Sequence, residues 1–470
     1  MTIPMPLLWV VFPLFIAGLA GLLSNRKLLS ILLTSLTAFS LSIFATLFSE
    51  ELSISIGSVT LVFSESLNIL GRQVFVIYEM MPYVALIYAV TGLWNLSSGI
   101  ANIPQSFRST SLVATALLTA ALGVQPFLYA ALLIETAVLV SIPTLSTPGQ
   151  SSQPGILRYL TFQTLAMPLV LLAGWLLTGV ETLPPDSPLI TQTMVVLGLG
   201  IAIWLSVFPF HSWVPMLSQN TSPLVMSFLL FIMPTTILVF GLNFIDRFPF
   251  LRESEELFSA LRLMGAIMII INNAWTAVQH NLKRAFSYSA LAETGYSLLA
   301  VGMYAQGGLT WMMLLFPVRA LVFWLWGFTL TLIEEHTDSL EMNDVRGLGR
   351  RYPMLSVGLL LAQLSLAGLP LLAAFPVKIS IYKAAFEVGV SLGILVFIGS
   401  MGLFLFTVRL LAKLIAPRDV TPIDGWDLLE KPYVSVSILV MILILIILGI
   451  FPNSFFSNIA NTLAAFSQLK

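Results

Sequence analysis

Long apolar blocks follow one another along this chain, separated by short polar connections. A bilayer-spanning helix needs roughly 20 apolar residues. Windows of that order lie near 5–23, 28–48, 74–97, 108–125, 126–145, 158–178, 190–208, 224–244, 259–280, 285–305, 310–333, 354–383, 390–413 and 433–451. They lack the apolar/polar alternation of a lipid-facing barrel strand, so the pattern predicts an all-α polytopic membrane protein of about fourteen helices. Only Gln125-Pro126 divides the fourth window from the fifth. The twelfth is interrupted: AGLPLLAAFPVKISIYK (367–383) carries Pro370 and Pro376, which break a helix, and Lys378, a positive charge among aliphatic side chains.

Composition agrees with the pattern. The chain is 58% hydrophobic and 9% charged, against roughly 25% charged residues in a soluble domain, and its mean hydropathy is +0.96. A formal net charge of −1 gives no case for a nucleic-acid partner. The absence of cysteine excludes disulfides, thiolate metal sites and iron–sulfur clusters on this chain. His211, His280 and His336 lie far apart in sequence and suggest no metal cluster; for His211 a structural hydrogen bond is the expected role. No Walker, dinucleotide or nucleophile-elbow motif is present, so no cofactor and no catalytic chemistry are expected here, and energy must come from ion gradients or a partner complex. The amino terminus, MTIPMPLLWVV, has no basic stretch before its first apolar run, which predicts a retained span rather than a cleaved signal.

Charge in the connections predicts orientation. With the amino terminus outside, the inner side collects thirteen cations: Arg26, Lys27, Arg108, Arg158, Lys283, Arg284, Arg346, Arg350, Arg351, Arg409, Lys413, Arg418 and Lys431. The outer side collects five: Arg72, Arg247, Arg252, Arg262 and Lys470. The inner loop 334–353 mixes both signs, which suits docking and a solvated connection equally.

Six charges remain within or near spans: Glu79, Glu135, Glu293, Arg319, Lys378 and Lys383. Each costs on the order of 2.5–3.5 kcal/mol at mid-membrane on insertion scales. Glu79 and Lys383 sit near predicted ends, where side chains reach the headgroups, so a functional role and simple snorkelling are both open. Glu135 and Lys378 have no end close by and are read as functional. Glu293 and Arg319 fit either a structural ion pair between neighbouring helices or a relay. Non-helical backbone at membrane depth is tolerated only inside protein or along a hydrated cavity, and discontinuous helices of this kind build ion sites. Carbonyls freed near Gly368-Leu369-Pro370 therefore support a titratable amine at Lys378 in an internal polar pathway.

Three stretches carry a resemblance. FPFHSWVP (208–215) with TSPLVMS (221–227), NLKRAFSYSALAETGYSLLAVG (281–302), and GLGRRYP (347–353) with AGLPLLAAFPVK (367–378) all resemble signature segments of one family, the antiporter-like membrane subunits shared by respiratory complex I, Mrp-type cation/proton antiporters and membrane-bound hydrogenases, and they occur in that family's order. The resemblance spans roughly residues 70–415, and the length is that of the shorter members. It implies fourteen helices with two inverted five-helix repeats, each holding one discontinuous helix. The expected divisions are three amino-terminal spans and an outer loop (1–107), repeats over 108–244 and 259–413, and a carboxy-terminal inner loop, last span and tail (414–470).

By the same resemblance, Glu135 stands where the family has its fifth-helix glutamate and Lys378 where it has the basic or acidic residue of the second broken helix. Between them this chain departs. Trp204 replaces a lysine, Thr236 and Ile237 stand where a lysine or histidine is expected, and Arg319 stands in an H-x-x-x-K position. Arginine holds its proton, so it tunes neighbours without relaying. The ion-translocation residues are thus expected to be Lys378, Glu293, Arg319, Glu135 and His211, with the second half intact and the first degenerate.

The resemblance implies other membrane subunits, the lipid bilayer and protons or sodium ions as partners, in an inner membrane of bacterial type. Three functions follow: a subunit of a complex I-like redox-driven pump, a subunit of a cation/proton antiporter, and a non-conducting structural spacer.

Overall fold

The computed structural model describes residues 2–47, 53–56, 59–69, 71–101, 103–146, 154–180, 187–337, 339–416, 430–452 and 459–469. Arg418 and Lys470 of the charge tally, and most of the 414–431 connection, lie outside the described residues.

A π-helical turn, Leu7–Val11, leads into α1 (Phe12–Leu22), followed by α2 (Lys27–Leu47), α3 (Met81–Ser97), α4 (Phe107–Gly123), α5 (Leu128–Leu145) and α6 (Pro154–Val180). Next come α7 (Pro188–Trp204), α8 (Trp213–Asn220), α9 (Pro223–Arg247), the single turn α10 (Pro249–Arg252), α11 (Glu255–Val278), α12 (Leu282–Gly302) and α13 (Gly308–Glu334). The chain closes with a second single turn, α14 (Leu348–Arg351), then α15 (Pro353–Leu366), α16 (Ala374–Val388), α17 (Val390–Ile415) and α18 (Pro432–Ile450). Each predicted window holds a helix. Among the described residues eight are long and apolar enough by length and composition to cross a membrane, so the molecule is a polytopic helical membrane protein.

Burial separates axis from periphery. The spanning stretches of α9 and α13 are 89% and 83% buried, whereas α17 and α18 are each 33% buried and turn leucine and isoleucine outward, as a bilayer-facing surface requires. The two axial helices meet closely at Gly327, where a Cβ would stand 2.8 Å from Ser227 Cβ. Small residues let helix backbones approach where the solvent is lipid. Thr331 Oγ1 also accepts from the Leu224 amide at 2.9 Å, giving the first amides of α9 a partner.

The third window departs from expectation. Its helix starts at Met81, and residues 72–75 form a strand instead. Four strands in the 53–75 segment join two small sheets with one strand from elsewhere in each: β1 (Thr2–Pro4), β3 (Val59–Ser64) and β2 (Ser53–Ile56) in one, and β4 (Ser66–Ile69), β5 (Arg72–Phe75) and β6 (Val124–Gln125) in the other. β6 is the connection between α4 and α5, and Gln125 pairs with Gln73. Glu79 lies in a single 3-10 turn just before α3.

Helix ends carrying most of the predicted inner cations lie together. The Leu282 amide donates to Leu340 O, Gly347 to Lys413 O, and Lys283 pairs with Glu334. The 334–353 loop is thereby tied to its own chain. Arg108, counted as a loop cation, is instead buried in the first turn of α4 and donates from Nε to Ser98 Oγ at 3.3 Å.

Two helices are interrupted. Between α7 and α8 the break covers residues 205–212, and Ser206 takes a positive φ of 55°. Between α15 and α16 it covers 367–373, with Gly368 at φ 77° and Leu371 at φ 74°. A left-handed backbone costs a side-chain-bearing residue roughly 1–2 kcal/mol. Ser206 and Leu371 thus mark backbone that surrounding packing holds in place.

Candidate functional site

The second break positions the site. In a continuous helix the carbonyl of Leu366 would accept from the amide of residue 370, and Pro370 has none. The chain turns instead: Ala367 N donates to Gln363 O, Gly368 N to Ser365 O, and Leu369 N to Leu364 O, each at 2.9–3.0 Å. The orphaned Leu366 carbonyl is taken by Lys378 Nζ, which returns from the start of the second turn of α16. The freed carbonyl therefore engages the lysine directly. Gly368 permits that approach, because a Cβ there would meet Lys378 Cδ at 3.3 Å.

Across from it, Glu293 Oε1 on α12 stands 2.6 Å from Lys378 Nζ, with both side chains at most 3% exposed. The ammonium also lies 4.1 Å from the centroid of the Tyr296 ring. Arg319, expected as one possible partner of Glu293, does not bond its carboxylate. Arg319 Nη2 donates to the Glu293 backbone carbonyl at 2.6 Å and to Ser297 Oγ, while its Nε and Nη1 are buried without partners. With all three groups ionised, Lys378, Arg319 and Glu293 together carry one more positive than negative charge.

The residues expected in the first half do not join this cluster. Glu135, on α5, accepts from Thr164 Oγ1 at 2.7 Å through Oε1, and its Oε2 is buried without a hydrogen bond. Trp204 and Gln163 lock to each other: the indole donates to Gln163 O at 3.2 Å, and Gln163 Nε2 donates to Trp204 O at 3.4 Å. Thr236 shares a 2.8 Å hydrogen bond with Tyr83. His211 was expected to make a structural hydrogen bond. Its Nδ1 is buried without one, and the ring packs 5.5 Å from Phe208. Lys383 is 80% exposed and 4.0 Å from Glu387, which places it at the surface.

Sequence reasoning missed the neutral partners. Tyr296 and Ser297 follow Glu293 by three and four residues, and Tyr382 follows Lys378 by four, spacings that put each on the same helix face as its charge. That spacing was the available signal.

The family model described as NADH:quinone oxidoreductase/Mrp antiporter, TM, matches residues 159–405, more than half of the chain. The chain belongs to this family. The matched segment contains His211, Glu293, Arg319 and Lys378 and leaves out Glu135. Among curated members of the antiporter family, NADH-quinone oxidoreductase subunit N of Deinococcus radiodurans is 28% identical over 58% of this chain and 55% of its own length. Subunit N 1 of Herpetosiphon aurantiacus is 26% identical over 60% of this chain and 57% of its own. The match thus spans little more than half the length of these relatives. The fold extends further. A chain of the Mrp complex from Dietzia sp. DQ12-45-1b superposes with a TM-score of 0.80 at 15% identity, covering 98% of this chain and 97% of that one. A chain of respiratory complex I from Thermus thermophilus gives 0.72 at 20% identity, covering 97% and 100%.

Proposed function

We propose that this chain is a membrane-arm subunit of a complex I-like, redox-driven proton or sodium pump, in which ion exchange centres on the Lys378–Glu293 pair and the first half-channel is degenerate. The observation that carries the reading is the 2.6 Å ion pair, almost fully buried, at a helix break whose orphaned carbonyl holds the lysine. A buried ion pair is costly to desolvate and is weak evidence of stabilisation. Charged side chains at membrane depth are functional sites by default. One proton moved from Lys378 to Glu293 converts the zwitterion to a neutral pair, so the site has two states that a change in a neighbouring subunit can bias.

Relatives named as NADH-quinone oxidoreductase subunits support the redox-driven setting. The domains proposed are the amino-terminal spans, two inverted repeats over 108–244 and 259–413, and the carboxy-terminal segment. The coupled ion reaches the pair from the inner end and leaves at the outer. On the first side, the reciprocal Trp204–Gln163 bonds put a non-titrating plug where a relay would need a proton carrier.

Purification of the intact assembly in mild detergent tests this reading. Quinone- or cluster-binding subunits are expected to co-purify. Recovery of small Mrp-type subunits alone would replace the pump with an antiporter.

A further inference from the structure

The Lys378–Glu293 pair is sealed, yet an exchange site must communicate with an end of the bundle. Outward from the pair, toward Gly302 on α12 and Val388 on α16, most side chains are aliphatic: α12 ends LLAVG (298–302), and Ser297 is engaged by Arg319. Ser380 is committed to Pro376 O at 2.9 Å. Two hydroxyls remain. Tyr296, fully buried, lies with its ring against Lys378 Nζ, and its hydroxyl is 3.0 Å from that of Tyr382, which is only half-buried. Ser400 of α17 lies beside the Tyr296 hydroxyl, and Phe397 packs edge-on to Tyr382 at 5.9 Å. Lys383, the next residue, is exposed on the lateral face of α16 with Ile379 and Phe386, and six residues separate Tyr382 from the outer end of that helix at Val388.

The two helices thus form a ladder with a charged rung, Glu293 and Lys378, and a hydroxyl rung one turn outward, Tyr296 and Tyr382. We propose that the Tyr296–Tyr382 hydroxyl pair is the relay through which the Lys378–Glu293 pair exchanges protons with the outer end of the bundle. The inference rests on the reading of that ion pair as the exchange site. Rotation of Lys378 away from Leu366 O carries Nζ across the Tyr296 ring to its hydroxyl edge. A proton leaving Nζ then binds the Tyr296 oxygen as that oxygen gives its own proton to Tyr382. Tyr382 releases its proton outward, and rotation of both hydroxyls restores the pair. No charge stays on either ring, and no other reactant is needed. In the resting arrangement the same ring covers the ammonium, which separates the site from the outer end between transfers.

The test measures proton transport by vesicles containing the intact assembly, with Tyr296→Phe, Tyr382→Phe, Tyr382→His and Lys378→Met compared at equal assembly level. Phenylalanine keeps the ring and its packing and removes only the hydroxyl. Each Phe variant is expected to lose about tenfold or more in rate, the low end of what a positioned proton-transfer group contributes or below it. Tyr382→His, which restores a group able to accept and donate a proton, should recover part of that loss. If Lys378→Met abolishes transport while both Phe variants run at the wild-type rate, the relay is overturned and the exchange site stands. If Tyr382→His is as impaired as Tyr382→Phe, the tyrosine acts by packing alone and the relay is likewise overturned. Normal transport in Lys378→Met would instead remove the exchange site beneath it.

Discussion

Replacing Glu293 with glutamine removes the carboxylate paired with Lys378 and leaves the ammonium with the Leu366 carbonyl and the Tyr296 ring face. The lost partner stood 2.6 Å away, in a place where the lysine is 1% exposed. Breaking a buried pair on one side costs roughly 3–5 kcal/mol, because the remaining charge loses its compensation; the Tyr296 ring face, in contact with the ammonium before the substitution as well as after it, offsets none of that. Replacing both members is a different matter, since apolar or neutral groups of similar volume are often tolerated without loss. Glu293→Gln is therefore expected to lower the temperature at which the solubilised assembly loses its monodisperse profile, by an amount on the order of several degrees. Lys378→Met alone should cost less, because methionine follows the lysine stem and the Glu293 carboxylate keeps the Arg319 charge nearby. The double variant should regain most of what Glu293→Gln loses. The readout is a thermal challenge at fixed heating rate followed by size-exclusion chromatography, because membrane proteins of this size unfold irreversibly. If the two single losses simply add in the double variant, the side chains are not energetically coupled and the pair described here does not hold the break together.

Two further outcomes follow from the same geometry. Gly368→Ala forces an alanine to φ 77° and sets a methyl 3.3 Å from Lys378 Cδ, so it should destabilise the assembly by about 1–2 kcal/mol and slow transport together; wild-type transport would show that the lysine does not need this approach. A single cysteine at Ser339, readily interpreted because the chain has none of its own, should label from the side that carries most of the basic loops, and labelling only from the opposite side would invert the orientation.

The sequence disclosed what costs most in a membrane. Pro370 in an apolar block marked the second break, and Lys378 and Glu293 were legible as charges needing partners; Pro376, expected to break the helix as well, instead lies within α16, as Pro143, Pro168, Pro234 and Pro317 lie within their own helices. Which cation Glu293 takes was not legible, because α12 reaches Lys378 on α16 and Arg319 on α13 alike, and only packing assigns the carboxylate to the first and the backbone carbonyl to the second. Neutral polar residues give no insertion-cost signal. Gln163, Tyr83, Tyr296 and Tyr382 therefore gave no sequence signal, although Gln163 bonds Trp204, Tyr83 bonds Thr236, and the two other tyrosines bond each other beside Lys378. The strands at 53–75 were hidden for another reason: each is four to six residues long, too short to stand out beside helical windows of about twenty.

The central claim is that the second half conducts through Lys378 and that Glu135 is disconnected from it. Among the described residues Glu135 makes one hydrogen bond, to Thr164, and Trp204 and Gln163 bond each other's backbone carbonyls. Proton transport by vesicles carrying the intact assembly with either Lys378→Met or Glu135→Gln measures this directly. The account predicts that Lys378→Met abolishes transport with assembly preserved, while Glu135→Gln stays near the wild-type rate. Equal loss in both variants would contradict it, and would mean that the first half conducts past Trp204.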